Sequence, residues 1–188
     1  MIIFYAPDLL NILELPEEES GHAIRVLRHQ VGDEIKVVDG SGTWYDCRIT
    51  VAHPKHCALE ILSSTPDKHW PYRVELVVAP TKNLDRMEWF LEKATEMGID
   101  RFIPIKSRFS ERKELKVERM RKIAVSAMKQ SLKATLPEIE EMTDIRKVLE
   151  DPFEGQKFIA HCMEDSPRQL LSQLIEPGKK IRVLIGPE

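Results

Sequence analysis

Lys82 and Arg108 are the residues from which a chemistry can first be read. Each is a fixed positive charge in a short loop, Pro80-Thr81-Lys82 and Lys106-Ser107-Arg108-Phe109-Ser110, that directly follows an apolar run with the character of a β-strand. Cations beyond the carboxyl ends of parallel strands can hold a phosphate or an anionic base. Two further loops follow apolar runs, Cys162-Met163-Glu164-Asp165 and Gly186-Pro187-Glu188. Neither contains a basic residue, and both are suited to a cofactor. Taken singly, each of these residues also fits an ordinary exposed loop.

The surrounding charge points the same way. The 188-residue chain carries a net −3, but residues 71–136 hold 15 basic and 9 acidic side chains, and within residues 101–133 eleven Lys and Arg face three Glu. Such a concentration attracts a phosphate backbone; it also fits a solvated helix face. With 42% hydrophobic and 31% charged residues, the chain can bury one good core or two small ones, which excludes disordered and fibrous classes. No apolar run approaches the roughly 20 residues of a membrane span. The start MIIFYAPDLL lacks a basic n-region and a cleavage site. A cytoplasmic protein without membrane attachment is expected. Cys47, Cys57 and Cys162 are odd in number and widely spaced, with no CxxC and no His pair at zinc spacing. They read as reduced thiols, with no metal site. No GxGxxG follows a strand, which disfavours a dehydrogenase-like nucleotide binder.

Positioning these loops requires a sheet, and the periodicity supplies one. Short strands over residues 2–5, 34–38, 43–51 and 56–62, with a helix over 17–27 and a turn at Asp39-Gly40-Ser41-Gly42, describe a small antiparallel barrel. The proline-bounded residues 64–71 read as a linker. Beyond it, strands at 73–79, 101–105, 157–161 and 181–185 alternate with helices at 85–97, 116–132 and 167–175, the order of a mostly parallel α/β sheet. In the helix at 85–97, Asp85 followed by Glu88 resembles a capping box, and Gly98 supplies the stop. Met87, Phe90, Leu91, Ala94 and Met97 share one face and are expected in the core. Pro104 predicts that its strand ends there or lies at an edge. The expected class is therefore α/β, with a small antiparallel β-barrel in residues 1–70 and a mostly parallel α/β domain in residues 71–188.

Four motifs in order carry a family resemblance. Gly21-His22-Ala23-Ile24-Arg25-Val26-Leu27-Arg28 with Val31-Gly32-Asp33 is the first. The second runs from Lys82 through Asp85-Arg86-Met87-Glu88-Trp89 and Glu92-Lys93-Ala94-Thr95-Glu96-Met97-Gly98-Ile99 to Pro104. Ala127-Met128-Lys129-Gln130-Ser131 with Pro137 follows, and Ile185-Gly186-Pro187-Glu188 closes the set. Together they resemble the bacterial 16S ribosomal RNA uridine-N3-methyltransferase family. That resemblance implies a PUA-like RNA-binding barrel followed by a SPOUT-class domain of the trefoil-knot type, with the knot-closing segment expected beyond Glu188. It implies S-adenosylmethionine as cofactor, 16S rRNA of the small ribosomal subunit as substrate, and a homodimer.

Under the same resemblance, Arg108 and Gln130 are candidates for holding the uridine. Lys82, Arg112 and Lys133 are candidate phosphate contacts, and His22, Arg25 and Arg28, spaced i, i+3, i+6, form a candidate RNA-reading edge. Gly186, Pro187 and Glu188 are candidate cofactor contacts, with His161 as a weaker one, since a lone histidine there is more often structural. The family often places Gly and Arg after the Gln-Ser pair, where this chain has Leu132 and Lys133. Lys keeps the charge and loses the bidentate fork. A SPOUT enzyme with another target and a non-catalytic RNA-binding module are the alternatives.

Overall fold

A computed structural model describes residues 1–68, 71–110, 112, 114–161 and 169–186. The chain divides into two units, one joining Met1–His69 with Val125–Leu136, the other Trp70–Ala124 with Pro137–Glu188.

The first unit contains β1 (Ile3–Tyr5), α1 (Leu9–Ile12), β2 (Glu14–Leu15), α2 (Glu17–Gly21), β3 (Glu34–Val38), β4 (Thr43–Val51) and β5 (Cys57–Pro66). Strand alternation decides which side chains go inside. In β4, Tyr45, Cys47 and Ile49 are buried between outward-facing Asp46, Arg48 and Thr50. The five strands form one sheet in the order β1-β3-β4-β5-β2, nearly closed, with no pairing of its outer strands among the described residues. The expected sheet was wholly antiparallel. Instead β1 runs parallel to β3, because the intervening helices and β2 form a crossover, the connection a parallel pair requires.

The expected linker is also partly strand. Ser64, Thr65 and Pro66 pair with Tyr45, Trp44 and Thr43, and the proline sits at the strand's last residue, where no further ladder donor is needed. The helix expected over 17–27 changes character after Gly21 into a π-helical turn, His22–Val26. Its wider turn removes the i, i+3 alignment on which a shared face of His22, Arg25 and Arg28 depended. Arg28 lies beyond it at φ 62°, with the next amide, His29 N–H, closing on the Ala23 carbonyl at 3.0 Å.

The second unit contains β6 (Val74–Val78), α3 (Leu84–Met97), β7 (Arg101–Lys106), the first half of α4 (Val117–Gln130), β8 (Glu138–Ile139), β9 (Thr143–Asp144), α5 (Ile145–Glu150), β10 (Gln156–Ala160), α6 (Leu171–Leu174) and β11 (Ile181–Ile185). The strands are parallel in the order β10-β11-β6-β7-β8, with β9 also on β7. Val77, Ala79, Ile103, Ile105, Leu184 and Val148 form one core cluster against this sheet. Of the helix expected over 167–175, residues 167 and 168 lie outside the described residues, and α6 covers Leu171–Leu174.

Three local expectations are corrected in this unit. The N-cap of α3 is Asn83, whose Oδ1 accepts the Asp85 N–H at 2.9 Å, while Glu88 accepts from Arg119 Nη2 at 2.9 Å. Met97 is 75% exposed, and Thr95 takes a buried place on the helix. Pro104 neither ends β7 nor marks an edge. The Phe102 carbonyl accepts the Glu140 N–H, so by strand alternation position 104 faces the same side. There the pairing with β8 stops at Phe102 and that with β9 begins at Ile105; the missing donor falls in the gap.

Near the amino ends of the strands, a charged row crosses the sheet. Arg182, Glu75, Arg101 and Glu138 are successive register partners on β11, β6, β7 and β8. Opposite charges in neighbouring register positions attract, and a slip of one residue would separate all of them at once.

Candidate active site

The candidate cofactor residues lie toward the other end of the same sheet. Ala160, Ile185, Val78 and Pro104 are register partners on four adjacent strands; β10, β11 and β6 end there, so His161, Gly186 and Ala79 leave the sheet side by side, while β7 runs on to Lys106. Ala79 N–H donates to the Ile185 carbonyl at 2.9 Å, tying two of these ends together. The strand order also reverses here. The chain runs outward from β6 to β7, then returns to the far side for β10 and β11, and a crevice at such a point is where open α/β sheets take their ligands.

Lys82 and Arg112 are brought together. Arg112 Nη2 donates to the Lys82 carbonyl at 2.8 Å, and Thr81 Oγ1 donates to the Asn83 carbonyl at 2.9 Å. The backbone of this loop is thereby fixed while the Lys82 side chain stays exposed. Arg112 is half-buried, so part of its guanidinium serves the loop rather than standing free for a phosphate.

Arg108 sits in a turn closed by Ser107 N–H donating to Ser110 Oγ at 2.8 Å and Ser110 N–H donating to the Ser107 carbonyl at 3.2 Å. It is exposed, with its guanidinium carbon 5.5 Å from the ring centroid of Phe109. Phe109 is itself 66% exposed. A cation beside an open aromatic face suits a nucleobase and its phosphate, and Phe109 is a residue to which sequence reasoning assigned no role. Its signal was available: a lone aromatic in a polar, basic loop.

Gln130 and Lys133 belong to the first unit. Gln130 is the last residue of α4 and is exposed; Lys133 is half-buried, its N–H donating to the Met128 carbonyl at 3.1 Å. Of the candidate RNA edge, Arg25 and Arg28 are exposed, whereas the His22 ring packs 6.1 Å from that of Phe4. His161 and Gly186 are exposed, and Pro187, Glu188 and Cys162 lie outside the described residues.

The basic run is less open than its count suggests. Arg101 pairs with Glu75, Glu138 and Glu140, Arg119 with Glu88, Arg121 with Glu118, and Lys129 with Glu19. Lys106, Arg108, Lys116 and Lys122 are exposed. Cys47 and Cys57 are buried free thiols, each pushed up to about 11 by desolvation. No group among the described residues could hold a metal ion, and no described helix is long and apolar enough to cross a membrane.

A family model described as an RNA methyltransferase domain matches residues 68–188, and one described as an RNA methyltransferase PUA domain matches residues 15–62. The ribosomal RNA small subunit methyltransferase E of Aquifex aeolicus (strain VF5) is 30% identical over 193 residues, covering 100% of this chain and 82% of that relative. The chain belongs to the ribosomal RNA small subunit methyltransferase E family. Its Bacillus subtilis (strain 168) member is 26% identical over 184 residues, covering 91% of this chain and 72% of its own length. Among solved structures, a probable rRNA-methyltransferase from Porphyromonas gingivalis is 40% identical with a TM-score of 0.92, covering 100% of this chain and 80% of that one. A Neisseria gonorrhoeae family member, solved bound to S-adenosyl methionine, is 27% identical with a TM-score of 0.82 at the same coverage.

Proposed function

We propose that this chain transfers a methyl group from S-adenosylmethionine to N3 of a uridine in the decoding region of 16S ribosomal RNA. The observation that carries the reading is the row of three strand ends, those of β10, β11 and β6, next to β7 and the Arg108–Phe109 turn that follows it, in a chain of the small subunit methyltransferase E family. Such a cofactor needs an open crevice with backbone donors and acceptors for its adenine and amino-acid head. Gly186 fits this need: it is exposed, and a Cβ placed there would meet nothing within 4 Å. His161, Gly186, Pro187 and Glu188 are proposed to hold the cofactor, which supplies an electrophilic methyl on its sulfonium when bound.

The chain's own residues have a different task. N3 of uracil is a weak acid, and once its proton leaves, negative charge spreads over the two carbonyl oxygens. Arg108 presents a planar, permanently charged donor fork to such an anion, and Gln130 presents amide donors. Each is proposed on its own account. Lys82 and Lys133, with the Arg112 nitrogens not engaged on Lys82, are proposed phosphate contacts. Arg25 and Arg28, with His22, are proposed to bind RNA through a PUA-like domain in residues 1–70. A SPOUT trefoil-knot domain in residues 71–188, a homodimer and action in the cytoplasm on the small subunit complete the proposal.

The test is to incubate the protein and S-adenosylmethionine with small subunits lacking the modification and to map the methylated nucleotide by mass spectrometry. One N3-methyluridine is expected. Methyl transfer to another atom or nucleotide would assign another target, and none would leave an RNA-binding module. Arg108→Ala is expected to lower kcat about a hundredfold. Activity equal to wild type removes Arg108. Binding by the Arg25→Glu, Arg28→Glu variant, followed through a salt titration, should weaken with a shallower slope.

A further inference from the structure

We propose that the turn at residues 39–42 and Asp67 form a clamp that positions Gln130 and Lys133. The inference rests on the reading of those two residues as substrate contacts. After Gln130, Ser131 Oγ donates back to the Ala127 carbonyl at 2.7 Å, Leu132 turns the chain at φ 54°, and Lys133 N–H donates to the Met128 carbonyl at 3.1 Å. This end of the loop is fixed by α4.

The other end is fixed by the N-terminal sheet's own residues. Ala134 N–H donates to Asp67 Oδ2 at 3.1 Å, and Gly42 N–H donates to the Ala134 carbonyl at 3.1 Å. Asp67 N–H in turn donates to the Gly42 carbonyl at 2.8 Å, which closes a ring of hydrogen bonds. Leu136 N–H donates to the Gly40 carbonyl at 2.9 Å, and Thr135 bridges to Gly40 and Ser41.

The gripping turn is itself rigid. Asp39 Oδ1 accepts from Ser41 N–H and Ser41 Oγ, both at 2.8 Å, and Oδ2 accepts from Tyr45 Oη at 2.9 Å. Gly40 and Gly42 have φ of 87° and 98°. A Cβ on Gly42 would stand 3.2 Å from Thr135 Oγ1, and one on Gly40 3.2 Å from Leu136 Cβ, so both glycines are required for the close approach. The four-residue segment from Gln130 to Lys133, held at both ends, has little freedom left to lose. Gln130 and Lys133, at its two ends, are thus placed before substrate arrives, and small misplacements of a positioning group cost rate steeply.

Asp67→Ala removes one arm of the clamp, whereas Asp67→Asn keeps an acceptor for the Ala134 N–H. Three quantities decide the matter: amide hydrogen exchange at Ala134 and Leu136, the S-adenosylmethionine Kd by calorimetry, and kcat and KM on unmodified small subunits. Asp67→Ala should speed exchange at both amides and lower kcat/KM for the subunit on the order of ten- to a hundredfold. Its cofactor Kd should stay unchanged, and Asp67→Asn should recover most of the loss. Unaltered exchange, or cofactor affinity that falls in step with activity, overturns the clamp. Faster exchange with wild-type kcat/KM shows that the clamp exists but positions nothing for the reaction. Wild-type activity in both Gln130→Ala and Lys133→Ala would instead sink the underlying reading of the site.

Discussion

Arg182 Nε donates to Glu75 Oε2 at 2.8 Å, and both side chains are almost fully buried, at 2% and 4% exposure. Arg182 also reaches Asp151 Oδ2 at 2.9 Å and lies 4.3 Å over the Phe153 ring. Removing one member of a buried pair strands the other charge away from water. Arg182→Ala is expected to cost about 3 kcal/mol, the low end of the range for broken buried pairs. The low end applies because Arg73 Nε still stands 3.2 Å from Glu75. Urea unfolding measures it, and a loss under 1 kcal/mol would mean that the pair is solvated.

Capping of α3 separates two neighbouring residues. Asn83 accepts the Asp85 N–H, so Asn83→Ala should lose about 1 kcal/mol. Asp85 contributes only a first-turn charge, and Asp85→Ala should lose about 0.3 kcal/mol. Thermal melts of the two variants would reverse in order if Asp85 were the cap.

Leu132 holds a left-handed conformation at the end of α4, a place where a side chain is strained and glycine is not. Leu132 is 42% exposed and gives up little packing. Leu132→Gly is therefore expected to raise stability by about 1 kcal/mol, read as a higher Tm. A lower Tm would show that the Leu132 side chain matters more than the backbone strain.

The buried thiols set an alkaline limit. Cys47 and Cys57 are pushed up from 9.0 to about 11 by burial. Between those values the unfolded chain releases thiol protons that the folded one keeps. The stabilising contribution is complete below pH 9, declines as pH rises, and is lost once pH has passed through 11. In the folded protein at pH 8 both thiols should resist a thiol-specific disulfide reagent, and in urea both should react. Rapid native labelling at Cys47 or Cys57 would contradict their burial.

Much of this architecture was legible in the sequence where a run was long enough to show a period. The strands Glu34–Val38, Thr43–Val51 and Ile181–Ile185 stand where alternation and apolar runs place them, and α3 starts one residue from its expected position. Elements of two residues, such as β8 and β9, contain no period to read. The Arg182–Glu75 pair joins residues more than a hundred positions apart and exists only through strand register. Met97 matched a helical spacing, yet the end of a helix can run past the surface it packs on. At the candidate site, the loop positions of Lys82 and Arg108 followed from strand ends, whereas the Arg112–Lys82 tie depends on how two loops fold back, which spacing does not encode.

Met128 and Ala134 are fully buried beside Ile3 and Val38, with Trp44 and Leu136 packed around them. All five strands of the N-terminal sheet have been synthesised once Pro66 is joined, yet this part of their core stays uncovered until the end of α4 is made. During synthesis β6, α3 and β7 must emerge while that apolar surface is still open to water and to other chains. This sheet is therefore made well before its core can close, and its exposure during biogenesis is set by the speed of elongation through residues 70–124, which belong to the other unit.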